Sequence, residues 1–158
     1  MASNICAELR EGLSTSSAGD TRAIASQLAQ VIPPDTVLAL HGDLGVGKTT
    51  FVQGLAAGLG ITEPVTSPTF NLYTLHEGNP TRLLHLDAYR LESAADVEGL
   101  MLEDFLVSPW IAAIEWPERI ADWLPTHTWH LELGITAAEN PTLKLQSSSE
   151  VSLLHPPK

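Results

Sequence analysis

The stretch "HGDLGVGKTT", residues 41–50, holds Gly42, Gly45 and Gly47 followed directly by Lys48 and Thr49. Gly42, Gly47, Lys48 and Thr49 satisfy the pattern G-x-x-x-x-G-K-[ST], which average residue frequencies place by chance in roughly 0.5% of chains of this length. Phosphate binding is the chemistry it suits. Glycines let the backbone curl until successive N–H groups point inward at phosphate oxygens, and a helix starting there adds the positive end of its dipole. Lys48 can reach β- and γ-phosphates, and the Thr49 hydroxyl can hold Mg²⁺. The expected nucleotide-binding set is therefore Gly42, Asp43, Leu44, Gly45, Val46, Gly47, Lys48, Thr49 and Thr50. The competing explanation is a glycine-rich turn with a solvated lysine. The flanks argue against it: the apolar run "TVLALH" reads as a buried strand, and "KTTFVQGLAAGLG" reads as a helix with Phe51, Leu55 and Leu59 on one face.

A triphosphate site also needs a carboxylate at a neighbouring strand end, acting on the metal or on the attacking water. Asp87 closes "LLHLD" and Glu115 closes "WIAAIE", each after an apolar run, so both should emerge where α/β sheets place ligands. Lys48, Asp87 and Glu115 are the catalytic candidates; either acid taken alone could be a solvated loop residue. The guanine-reading N-K-x-D element is absent from the sequence, which favours ATP. After the loop the arginines are Arg82, Arg90 and Arg119, too few for the arginine-rich lid of many small-molecule kinases. Arg90 could face the γ-phosphate or pair with Glu92 or Asp96 at the surface.

Other residues carry weaker signals. Trp116, next to Glu115, could lie over the nucleotide, whereas Trp110, Trp123 and Trp129 read as packing residues. His85 shares a strand face with Asp87; it could place a water or phosphate, or be a buried histidine with a backbone partner. His127 and His130 form an H-x-x-H whose members point to opposite faces of a strand, a poor metal site. Thr66, Ser67 and Thr69 surround Pro68 in what could be a γ-phosphate-sensing loop or a plain turn before a strand.

The elements that must hold these residues form one α/β unit with a mixed, mostly parallel sheet flanked by helices. "NICAELRE" is a short candidate strand, and residues 14–20 supply small polar caps for a helix over 18–32, which Pro33-Pro34 ends. "TFNLYTLHEGNPTRLLHLDAY" reads as two antiparallel strands around "EGNP". "SAADVEGLMLEDFL" is an acidic helical segment opening on Ser93 with Asp96 three residues on, a capping-box arrangement. "WIAAIEWP" is a strand, "PERIADWLP" a helix bounded by prolines and "HTWHLELG" a further strand. Residues 1–147 are expected to form the nucleotide-binding domain, and 148–158 a frayed polar tail.

At 158 residues the chain fits one domain with its own core. Nineteen acids against eight Lys and Arg give a formal charge of -11, which disfavours direct binding to nucleic acid, DNA included, or to an anionic membrane. One cysteine, Cys6, rules out an internal disulfide and suits a reducing cytoplasm. No stretch approaches the ~20 apolar residues of a membrane span. Residues 87–122 hold nine acids against Arg90 and Arg119, a net -7 that could steer a basic protein partner or simply be a solvated surface.

In order, "GDLGVGKTTF", "TSPTFNL", "HLDAYRL", "EDFL" and "EWPE" resemble the TsaE family, small bacterial P-loop ATPases in the biosynthesis of the tRNA modification threonylcarbamoyladenosine. The similarity runs over residues 24–133. The T-S-P-T-F and H-x-D-x-Y-R blocks are far more specific than the phosphate loop. The resemblance implies a P-loop NTPase fold with a mixed sheet and an ATPase, weak alone, that acts on the TsaB–TsaD complex modifying adenosine 37. It implies Lys48 at the phosphates, Thr49 and Glu115 at Mg²⁺, Asp87 as an acid needed for hydrolysis, and "TSPTF" as a switch-like segment. Val46 stands where the family usually has alanine and could stiffen the loop. Two other readings stay open: a small-molecule kinase, and a nucleotide-gated binding module without functional turnover.

Overall fold

The computed structural model describes residues 5–43, 45–68 and 72–146. Its elements in chain order are α1 (Ile5–Glu11), β1 (Leu13–Ser14), α2 (Ala18–Val31), β2 (Thr36–His41), α3 (Lys48–Gly58), β3 (Tyr73–His76), β4 (Arg82–Asp87), α4 (Ala94–Glu98), a 3₁₀ turn (Leu102–Asp104), β5 (Trp110–Glu115), a kinked 3₁₀ segment (Pro117–Trp123), β6 (Trp129–Ile135) and β7 (Pro141–Gln146). The seven strands form one mixed sheet in the order β1-β7-β6-β2-β5-β4-β3. Its centre is parallel, β6, β2, β5 and β4 running together, and the flanking pairings β3–β4, β6–β7 and β1–β7 are antiparallel.

Burial on both faces explains the continuous apolar runs of the central strands. Every residue of β2 is buried. Leu38, Leu40, Ile111 and Leu131 pack under α1, α2 and α3 on one face. Val37, Leu84, Leu86 and Ile114 form the second core layer, with Val97 of α4 and Leu102. The helix after the loop is clamped by close packing on α2: a Cβ at Gly54 would stand 2.4 Å from the Arg22 carbonyl oxygen. The start of α2 is fixed by Ser17, whose hydroxyl accepts from the Asp20 backbone N–H at 3.1 Å.

The structure corrects three expectations. The segment read as the strand "NICAELRE" is the helix α1, because Ile5 and Leu9, one turn apart, bury a single stripe against the sheet while Glu8, Arg10 and Glu11 face water. The acidic segment after Ser93 is not one helix: α4 stops at Glu98, and Met101 takes a left-handed φ of 54° before the 3₁₀ turn. Ser93 occupies the cap position without a side-chain bond, and the Asp96 carboxylate instead accepts from the Glu92 backbone N–H. β1 and β7, unassigned from sequence, extend the sheet at its far edge. The tail expected over 148–158 lies outside the described residues, as does Thr69. No helix among the described residues is long and apolar enough to cross a membrane.

Candidate nucleotide site

Strand β2 delivers the chain to Gly42 and α3 begins at Lys48, so the glycine-rich loop spans a strand-to-helix turn at the C-terminal edge of the parallel strands. Gly42, Gly45 and Gly47 have φ of 149°, 85° and 99°, the left-handed side that side-chain-bearing residues avoid. A Cβ on Gly42 would also lie 2.5 Å from the Leu133 carbonyl oxygen. The branched Val46 side chain packs onto that glycine and joins the core, so the departure from alanine fills space beneath the loop. Gly47 is the N-cap of α3 and no side chain caps it, which leaves the first-turn amides available to an anion. Leu44 lies outside the described residues.

Lys48 is only 5% exposed. Its Nζ donates to the Gly42 carbonyl oxygen at 2.7 Å and stands 3.7 Å from the centroid of the Trp116 ring. Burial pushes the ammonium below the ordinary lysine value of 10.5, opposed by the charges of Glu115, Glu118, Asp87 and Asp43. The loop thus holds a desolvated cation against its own backbone, where an incoming phosphate would take the place of the Gly42 carbonyl.

The two strand-end acids are neighbours. β4 and β5 pair in parallel with Asp87 opposite Glu115. Glu115 is buried, and its Oε2 accepts from the Thr49 hydroxyl at 3.4 Å and bonds the Nε2 of His85 at 2.5 Å. Asp87 is half-buried; its Oδ1 accepts from the Tyr89 backbone N–H at 3.0 Å, and it lines a cavity of about 150 Å³ with Pro68, Leu72, Tyr89 and Arg90. Thr49 and Glu115 are therefore positioned to share a divalent cation, which with Mg²⁺ would draw its remaining ligands from phosphate and water. Arg90 is exposed and forms no ion pair among the described residues, so of its two readings the bridge to Glu92 or Asp96 is not made.

Trp116 turns the chain after β5 at a left-handed φ of 57°, and its ring meets that of Tyr89 at 5.1 Å between centroids. Trp116 also lines a cleft of about 720 Å³ that adjoins the loop, walled by Gly42, Val46, Glu118, Glu132 and Leu133 among others. That is the volume range of small-molecule sites. Glu132 carried no signal in the sequence, since its approach depends on β6 lying beside β2. The H-x-x-H pair separates: His127 lies in the turn before β6, while the His130 Nδ1 meets the Nε2 of buried His41 at 2.7 Å. Ahead of β3, Gln53 of α3 donates to the Val65 carbonyl oxygen at 3.0 Å, tying the "TSP" segment to the phosphate-loop helix.

With this geometry in hand, the similarities to known proteins are specific. The family model described as "Threonylcarbamoyl adenosine biosynthesis protein TsaE" matches residues 15–143. The tRNA threonylcarbamoyladenosine biosynthesis protein TsaE of Treponema pallidum is 40% identical over 124 residues, 78% of this chain and 91% of the relative. The protein of the same name from Bacillus subtilis is 42% identical over 106 residues, 67% of this chain and 66% of the relative. The crystal structure of YdiB from Bacillus subtilis superposes with a TM-score of 0.73 at 28% identity, covering 90% of this chain and 88% of that one. A phosphate-loop sheet of this order, matched along most of its length, places the chain in the TsaE family.

Proposed function

We propose that this chain is a Mg²⁺-dependent, cytoplasmic ATPase required for threonylcarbamoyladenosine formation at adenosine 37 of tRNA, acting on the TsaB–TsaD transferase complex. The pathway assignment is supported by membership of the TsaE family and by the relatives from Treponema pallidum and Bacillus subtilis. The observation that carries the ATPase reading is the convergence of a buried lysine, an uncapped helix start and the Thr49–Glu115 pair on one loop.

Each residue has a task in hydrolysis. The loop amides and Lys48 bind and orient the phosphates and hold the charge that grows on them in the transition state. Thr49 and Glu115 would hold Mg²⁺, which supplies charge neutralisation at the phosphate oxygens. Asp87 would orient the attacking water, a role supported by its half-buried position on a small cavity beside Pro68. Trp116 covers Lys48 and limits the water that reaches it. The net -7 of residues 87–122 repels tRNA and suits a basic patch on a protein partner, so contact with tRNA is indirect.

Phosphate release by the isolated chain, then with purified TsaB–TsaD and tRNA, tests the proposal. Slow basal turnover that rises with the complex is expected. A rise of the same size with a common metabolite, accompanied by its phosphorylation, would replace this reading with a kinase.

A further inference from the structure

His85 sits in the middle of β4 with 0% exposure, between Leu84 and Leu86, which are equally buried. Its Nε2 meets Glu115 Oε2 at 2.5 Å, but its Nδ1 is buried and has no hydrogen-bond partner among the described residues. A buried ring nitrogen without a partner is unfavourable, and a leucine of similar volume would carry no such cost. Packing alone therefore does not account for an imidazole here. What the imidazole adds is Nε2: an ionised carboxylate can only accept, so Nε2 must carry the hydrogen and donate it to Glu115.

The sheet register explains the reach. His85 pairs with Ala113 and Asp87 with Glu115, so His85 and Glu115 are diagonal neighbours on one face, and the small Ala113 leaves the ring room to lean. Both hydrogen bonds made by the Glu115 carboxylate, from His85 and from Thr49, fall on Oε2; Oε1 takes none among the described residues. We infer that His85 is a positioning residue for the divalent cation: its Nε2–H fixes the Glu115 carboxylate beside Thr49, leaving the second oxygen directed at the metal. This rests on the proposed Mg²⁺·ATP site and assigns it a support that touches neither nucleotide nor metal.

The test measures the Mg²⁺ concentration that half-saturates ATP binding, by calorimetry, together with Tm, for the parent chain, His85→Leu, His85→Gln and the same changes in a Glu115→Gln background. His85→Leu should raise the Mg²⁺ requirement about 10-fold or more, the range seen when such outer partners of metal ligands are removed. Tm and Mg²⁺-free nucleotide binding should stay near the parent values. Glutamine, whose amide reaches the Nε2 position, should restore most of the affinity. In the Glu115→Gln background the leucine change should add nothing. Should His85→Leu not fold, His85→Asn withdraws the donor from that position and serves in its place. An unaltered Mg²⁺ requirement, or an equal effect with and without Glu115, overturns the positioning role while leaving the ATPase reading intact. A parent chain without Mg²⁺-promoted ATP binding removes the ATPase reading itself, and this inference with it.

Discussion

The ends of β4 and β5 carry one carboxylate each, opposite one another in register, yet the two acids live in different surroundings. Glu115 is buried and joined to Thr49 and His85, so its carboxylate is fixed through Oε2 by side chains from two other elements. Asp87 is half-buried, bonded to a backbone N–H two residues on, and open to a small cavity beside Pro68. A fixed carboxylate suits a metal ion, whose ligands must keep their geometry. One facing a cavity suits a water that has to enter and react. Under the proposed ATPase reading, burial and partners therefore assign the metal to Glu115 and the water to Asp87, a division the sequence leaves open.

The largest effect expected from this contrast is at Glu115. Glu115→Gln should lower kcat by about 10²–10³-fold, as loss of a major electrostatic contact does, and should shift the Mg²⁺ dependence to higher concentration. Asp87→Asn should lower kcat by roughly 10–100-fold, the scale of lost general-base or water-orienting assistance, with the Mg²⁺ dependence unchanged. Equal shifts in Mg²⁺ dependence for both variants would erase the contrast.

A smaller effect is expected from pH. Burial favours the neutral amine of Lys48, so its pKa in the folded protein lies below the ordinary 10.5. The charge that attracts phosphate is therefore lost as pH rises, earlier than for an exposed lysine. ATP affinity, followed by calorimetry across the alkaline range, should therefore begin to fall at a lower pH than it would for an exposed lysine titrating at 10.5, and a fall that sets in only there would contradict the effect of burial. Weakest of all is a change remote from both strands. Ser17→Ala removes the α2 cap and should cost about 1 kcal/mol, lowering Tm by roughly 3 °C with the ATPase rate unaltered.

Local chemistry was legible in the sequence and long-range register was not. The phosphate loop declares itself because positive-φ glycines, a lysine and a hydroxyl residue must occupy fixed positions in ten residues, and β2 and α3 flank it as their apolar patterns require. The strand ends at Asp87 and Glu115 could be read for the same reason, since each apolar run stops at its acid. The pairing of His85 with Glu115, thirty residues away, depends on which strands are neighbours, which a single chain does not spell out. α1 resembles a strand in sequence because seven residues carry too few apolar positions to separate a period of 3.6 from an extended run; only the Ile5 and Leu9 spacing marks the helix. β7 shows a period-2 signal, Leu143 and Leu145 buried around exposed Lys144, but it is short and follows a turn-rich stretch.

Titration of ATP into the chain by calorimetry, with and without Mg²⁺ and repeated on Lys48→Ala, examines the site most directly. Mg²⁺-promoted binding of ATP that disappears in Lys48→Ala is the predicted result. Absence of binding by the parent chain, or equal binding by the alanine variant, would contradict the assignment of residues 42–49 as a phosphate cradle.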